Sequence, residues 1–167
     1  LLKDLTRSFA IAIFTVTALM VLLFRDVKLG LCSLVPNLLP IFLTAGLMGW
    51  LQIPIDLSTV LFASIVLGIC VDDTIHLLVH FQQARAKGCD TEEAIEKALE
   101  SGGKAILITS LLLMSGLGIY AFSALTSLHR FGVLMIVSVN AALLSDLVLL
   151  PILLRYGFAE SAKSQRS

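Results

Sequence analysis

Five long apolar runs, nearly free of Lys, Arg, Asp and Glu, follow one another along the chain at residues 8–24, 29–55, 57–80, 105–128 and 131–154. At 1.5 Å per helical residue each is long enough, with modest tilt, to cross a hydrocarbon core of ~30 Å. The pattern predicts an all-α fold: a polytopic bundle of five transmembrane helices over residues 8–156, after a lead-in at 1–7 and before a tail at 157–167. An odd number of crossings puts the two ends on opposite sides of the membrane.

The longest polar interval separates the third and fourth runs. Asp90, followed by Glu93, has the spacing of a helix-opening capping box. Ala94, Ile95, Ala98 and Leu99 then fall on one face, opposite Glu92, Glu96, Lys97 and Glu100. These predict a short amphipathic helix at about 90–101, ended by Gly102 and Gly103, that lies as a connector against the bundle or the interface; a regulatory docking site is the sharper alternative. In the second run, Val35-Pro36-Asn37-Leu38-Leu39-Pro40 removes two backbone donors. The freed carbonyls need partners that lipid does not supply, so this helix is expected to be kinked and packed inward, with Pro36 and Pro40 either a fixed kink or a hinge.

Composition agrees with the pattern. The 167 residues are 57% hydrophobic and 14% charged, with a mean hydropathy of +0.96, whereas a soluble domain carries about 25% charged residues. The net charge is zero and there is no basic run, which excludes nucleic acid as a partner. Three cysteines, Cys32, Cys70 and Cys89, imply no disulfide framework. Nine of the twelve basic residues (Arg25, Lys28, Arg85, Lys87, Lys97, Lys104, Arg155, Lys163 and Arg166) fall on one side, against Lys3, Arg7 and Arg130 on the other. The positive-inside rule then puts the N-terminus outside and the C-terminus in the cytoplasm. Without an initiator Met, the chain is expected to be a fragment of something larger.

Inside the third run stands Gly68-Ile69-Cys70-Val71-Asp72-Asp73-Thr74-Ile75-His76. One carboxylate at the centre of a membrane helix costs roughly 2.5 to 3.5 kcal/mol on insertion scales. Two adjacent ones cannot both ionise easily in low dielectric, so such a pair is suited to taking up and releasing a proton; the bland account is a fixed hydrogen-bonding element. Depth arithmetic adds company. Asp72 and Asp146 each come ~5 Å to the cytoplasmic side of their helix midpoints, Asn37 ~7 Å, and Thr109, Ser110 and His76 ~10 Å on the same side. These residues define a polar layer in the cytoplasmic half of the bundle. His76 could relay protons or simply pack, Asp146 could be structural, and Thr109 and Ser110 could bond their own backbone. Gly68, one turn before Asp72, would let a neighbouring helix approach closely. A metal centre is set aside because three histidines, with His129 on the far side, cannot build a histidine-rich site, and no motif points to a cofactor or to soluble-type catalysis.

The Gly68-x-x-x-Asp72-Asp73 motif with its Thr-Ile-His extension resembles the fourth-helix signature of the resistance-nodulation-division (RND) superfamily, in its MMPL and sterol-sensing (Patched-like) branch. Phe24-Arg25-Asp26-Val27-Lys28-Leu29-Gly30, the Pro-Asn-Leu-Leu-Pro at 36–40 and the Ser-Asp-Leu-Val-Leu-Leu-Pro at 145–151 are similar to that branch too. The resemblance implies helices 2 to 6 of one six-helix repeat, from the C-terminal half of a proton-driven secondary transporter rather than an enzyme. It also implies that Asp72 and Asp73 are the proton relay, and that lipids or other hydrophobic compounds are the cargo. The partners implied are membrane lipids and the missing other repeat or an oligomeric partner. The short loops look like those of bacterial members, which implies the bacterial inner (cytoplasmic) membrane. A sterol-sensing-type lipid-binding regulatory module is the alternative, since it shares the five-helix layout.

Overall fold

The computed structural model describes the backbone of residues 2–54 and 57–164, and the side chains of residues 7, 11–54, 59 and 62–158. Among these the chain is helical throughout, with no strand. Helix α1 spans Leu2–Phe24, α2 Val27–Trp50, α3 Leu57–Ala86, α4 Thr91–Ala98, α5 Lys104–Gly118, α6 Thr126–Leu144 and α7 Leu150–Ser164. A π turn at Leu99–Gly103 joins α4 to α5, a second at Ser145–Leu149 joins α6 to α7, and a 3₁₀ turn at Ile119–Phe122 extends α5. These segments make five helical rods, four of them long and apolar enough to cross a membrane; in the first, the described apolar part is Ile11–Phe24. Much of the outer surface is apolar, with Phe14, Leu22, Phe42, Ile108, Leu112 and Phe122 all largely exposed, as helices facing hydrocarbon require.

Helices α2, α3 and α6 pack on one another; α1 lies against α2, α7 against α2 and α4, and α5 against α6. The core has two apolar clusters. One gathers Met20, Phe24, Leu77, Leu78, Phe81, Leu150 and Leu154 with Ala94 and Ala98 of α4. The other gathers Phe62, Val66, Cys70, Leu134, Met135 and Val139. Along α3 the clusters stop at Cys70 and resume at Leu77, and along α6–α7 they stop at Ala142 and resume at Leu150. The gap between them holds Asp73 and Thr74 on α3 and Ser145 and Asp146 on the α6–α7 rod.

Three helix ends use left-handed backbone. Arg25 and Gln52 turn the chain after α1 and α2 with φ of 50° and 51°, and Gly88, at 87°, closes α3. Asp26 caps α2, its side chain accepting from the Lys28 amide at 2.8 Å.

The amphipathic helix forms where the pattern placed it and lies against the bundle, with Thr91, Ala94, Ile95 and Ala98 buried. Its ends differ from expectation. The Asp90 side chain makes no cap hydrogen bond; Glu93 turns instead to Lys97, which donates to it at 2.7 Å and holds the Glu93 carboxyl below its ordinary range. Gly102 and Gly103 do not end the helix. They carry it through the π turn into α5, both buried, because a side chain at Gly102 would press on His80 and Leu77, and one at Gly103 on Leu147. Close approach to α3 at Gly102 and to the α6–α7 π turn at Gly103, and not chain termination, is what these glycines provide. Arg155 pairs with Glu92 and ties α7 to α4 on the surface. Of the expected lead-in and tail, the backbone of 2–7 and 157–164 continues α1 and α7; the side chains of Lys3, Lys163 and Arg166 lie outside the described residues.

Candidate functional site

Adjacent residues on a helix point about 100° apart, and this separates Asp72 from Asp73. Asp73 turns into the bundle and is 4% exposed, while Asp72 lies on the outer face of α3. Thr74 is fully buried beside Asp73. Its hydroxyl oxygen lies 2.8 Å from Asp146 Oδ1 on the α6–α7 π turn and 3.0 Å from Asn37 Oδ1 on α2. Thr74 is thus the point where three rods meet. Asn37 and Asp146 are 3% and 1% exposed, so none of the three side chains has water to fall back on.

Asn37 and Asp146 arrive there through irregularities in their helices. Asn37 follows Pro36 and precedes Pro40, and all three are buried, so the proline stretch does pack inward. Four residues after Pro40, the Thr44 hydroxyl donates to the Pro40 carbonyl at 2.7 Å and lies 2.5 Å from the Ser138 hydroxyl of α6. With its one proton given to the carbonyl, Thr44 accepts from Ser138. Asp146 sits in the π turn, where the extra residue in the turn rotates its side chain toward α3.

The centre is under-supplied with hydrogen-bond partners. Among the described residues, Asp73 Oδ2, Asp146 Oδ2, Ser145 Oγ and Ser110 Oγ are buried and unpaired. Asp73 and Asp146, both buried, approach this centre from α3 and from the α6–α7 π turn. Buried oxygens without donors are rare in native interiors and need a cause. The ion pairs Glu93–Lys97, Glu100–Lys104 and Glu92–Arg155 all involve α4 or the π turn that follows it; among the described residues none reaches these carboxylates.

The other expected members of the layer are dispersed. Gly68, Asp72 and His76 line one exposed stripe of α3, and a side chain at Gly68 would have nothing within 4 Å. Among the described residues, no neighbouring helix packs against Gly68. Thr109 is exposed and donates to its own backbone at Ala105 and Ile106, and Ser110 is buried without a partner.

Sequence reasoning missed Thr74, the hub, and the Thr44–Ser138 pair. Thr74 stands inside the very motif singled out, at the depth of the layer, and its spacing of four residues from Cys70 and Leu78 puts it on their face. What the pattern lacked was direction, because α3 is apolar on every side and offers no amphipathic stripe to orient it.

Comparison with known proteins agrees with this architecture. The family model described as the MMPL family matches residues 2–166. A protein of Methanocaldococcus jannaschii whose name describes a membrane protein is 29% identical over 156 residues, covering 92% of this chain. The chain spans 40% of that relative's length. No solved structure matches the chain.

Proposed function

The chain belongs to the MMPL family, a family of membrane transporters, and from that premise we propose that it is the membrane part of a proton-driven exporter of lipids or other hydrophobic compounds. Asp73, with Asp72, is its proton relay; Asp146 and Asn37 support it from the facing helices. One observation carries this reading. Two carboxyl groups, Asp73 and Asp146, are held in the middle of an apolar bundle with an oxygen each unpaired, and this arrangement is costly in a purely structural core.

The split of the Asp pair gives the relay two ends. Asp72 and His76 face outward on α3, and Asp73 faces the centre. A proton reaching Asp72 from outside the five rods passes to Asp73 one residue away and changes the charge against which Thr74 and Asp146 are packed. Neutralising that charge lets α2, α3 and the α6–α7 rod repack as rigid bodies, the motion that alternating access needs. The outward stripe of Gly68, Asp72 and His76 is where the other repeat, or an oligomeric partner, completes the transporter: polar groups at membrane depth face protein, not lipid. On the same reading the membrane is the bacterial inner membrane, with the N-terminus outside.

Export of a fluorescently labelled phospholipid under an imposed pH gradient, in vesicles holding the full-length protein, tests the proposal. Asp72→Asn and Asp73→Asn each abolish gradient-driven export. Wild-type export by both variants overturns it, and lipid binding without flux in the wild type marks a sterol-sensing-type regulatory module instead.

A further inference from the structure

We propose that Asp146 carries the resident proton of the buried centre, and that with Thr74 and Asn37 it forms a hydrogen-bond relay whose direction reverses when that proton leaves. The inference rests on the proton-coupled reading and goes beyond it by naming which carboxyl is loaded and how α2 is told.

The case is one of counting protons. Three oxygens, Asn37 Oδ1, Thr74 Oγ1 and Asp146 Oδ1, lie in a row at 3.0 and 2.8 Å. The Thr74 hydroxyl is the one donor between them and it has one hydrogen. With Asp146 ionised and Asn37 still presenting Oδ1, that hydrogen satisfies a single contact, and the other becomes two acceptor oxygens pressed together in a dry interior. With Asp146 protonated, both contacts are satisfied at once. Asp146 Oδ1–H donates to Thr74 Oγ1, and the Thr74 O–H donates to Asn37 Oδ1. The unpaired Asp146 Oδ2 points the same way: a neutral carbonyl oxygen tolerates a missing donor far better than a carboxylate oxygen does.

Departure of the proton turns the row around. The hydrogen leaves Asp146 Oδ1 for Asp73, the buried carboxyl next to Thr74 on α3; among the described residues, the side chain that α2 presents to the row is the non-ionisable Asn37. The Thr74 hydroxyl then swings to donate to the Asp146 carboxylate. Asn37 is left facing a hydroxyl oxygen without a hydrogen, and its amide turns over so that an Nδ2–H donates to Thr74 Oγ1. Every member remains bonded and no hydrogen is created or lost. Asn37 lies within the Pro36–Pro40 stretch, which lacks two backbone donors. The turnover therefore delivers the charge state of the α6–α7 rod to the part of α2 least held by its own hydrogen bonds.

Infrared spectroscopy of the full-length protein in lipid vesicles tests the relay at neutral pH. The wild type shows a protonated-carboxyl band that disappears in Asp146→Asn. In Thr74→Val the band persists but shifts to the frequency of a carboxyl that donates no hydrogen bond; in Thr74→Ser, which restores the hydroxyl, it stays in place. A band that survives Asp146→Asn, or that does not move in Thr74→Val, overturns the relay. If the surviving band vanishes instead in Asp73→Asn, the relay falls while proton coupling stands. The wider reading is judged separately, by gradient-driven export in Asp73→Asn. Should Asp146→Asn fail to fold, the Val and Ser variants at Thr74 decide the question by themselves.

Discussion

At the scale of the residue, what matters is which way a side chain leaves its helix. Asp72 and Asp73 are neighbours in sequence but point about 100° apart, one outside the bundle and one 4% exposed within it. Their substitutions differ accordingly in what they disturb. Asp73→Asn removes a charge from a sealed centre and raises the resistance of the isolated bundle to thermal unfolding, whereas Asp72→Asn leaves that resistance unchanged, which circular dichroism in detergent reads directly. The Thr44–Ser138 contact joins α2 to α6 through hydroxyls alone. A double-mutant cycle with Thr44→Val and Ser138→Ala gives a coupling of about 0.6 kcal/mol, the average for such bonds between membrane helices. A coupling of zero would mean that the bond is not formed in lipid. Depth arithmetic placed Asp146 at ~5 Å and Asn37 at ~7 Å on the same side, and in the structure both lie against Thr74. Depth carries no azimuth, however, and so Thr109 and His76, equal in depth, proved to face away.

At the scale of the element, the five rods and the amphipathic helix were visible as runs and as a 3.6-residue stripe. The joints were not. One π turn stands where the glycine stop was expected and another carries Asp146 between α6 and α7; a local pattern of apolar positions announces neither. Glycines show the difference clearly. A side chain at Gly132 would overlap the backbone of Tyr120 and Ala121, where α6 starts against the 3₁₀ turn, while one at Gly116 in α5 would meet nothing within 4 Å. Gly132→Ala therefore destabilises the fold by about 1–3 kcal/mol, and Gly116→Ala stabilises it by up to about 1 kcal/mol through helix propensity. Denaturant unfolding in mixed micelles measures both, and equal effects would contradict the packing described. The Arg155–Glu92 pair on the surface of α4 and α7 is exposed on both sides. Its removal by Arg155→Ala costs less than about 1 kcal/mol.

At the scale of the whole molecule, the bundle consists of two apolar clusters separated by a polar centre that its hydrogen bonds do not fully satisfy. On the proposed reading these oxygens stay unpaired because the centre changes its charge, and they are bonded in another of its states. Membership of the MMPL family was legible from the Gly68–His76 motif together with the proline and Ser145–Pro151 motifs, and the match over residues 2–166 agrees. The outward stripe of Gly68, Asp72 and His76 leaves a face that five rods do not cover. The most direct test of the central claim is proton uptake. After an acid jump across vesicles holding the full-length protein, a pH-sensitive dye should register uptake by the wild type that is missing in Asp73→Asn. Equal uptake by the two proteins would contradict the claim that this buried carboxyl changes its charge.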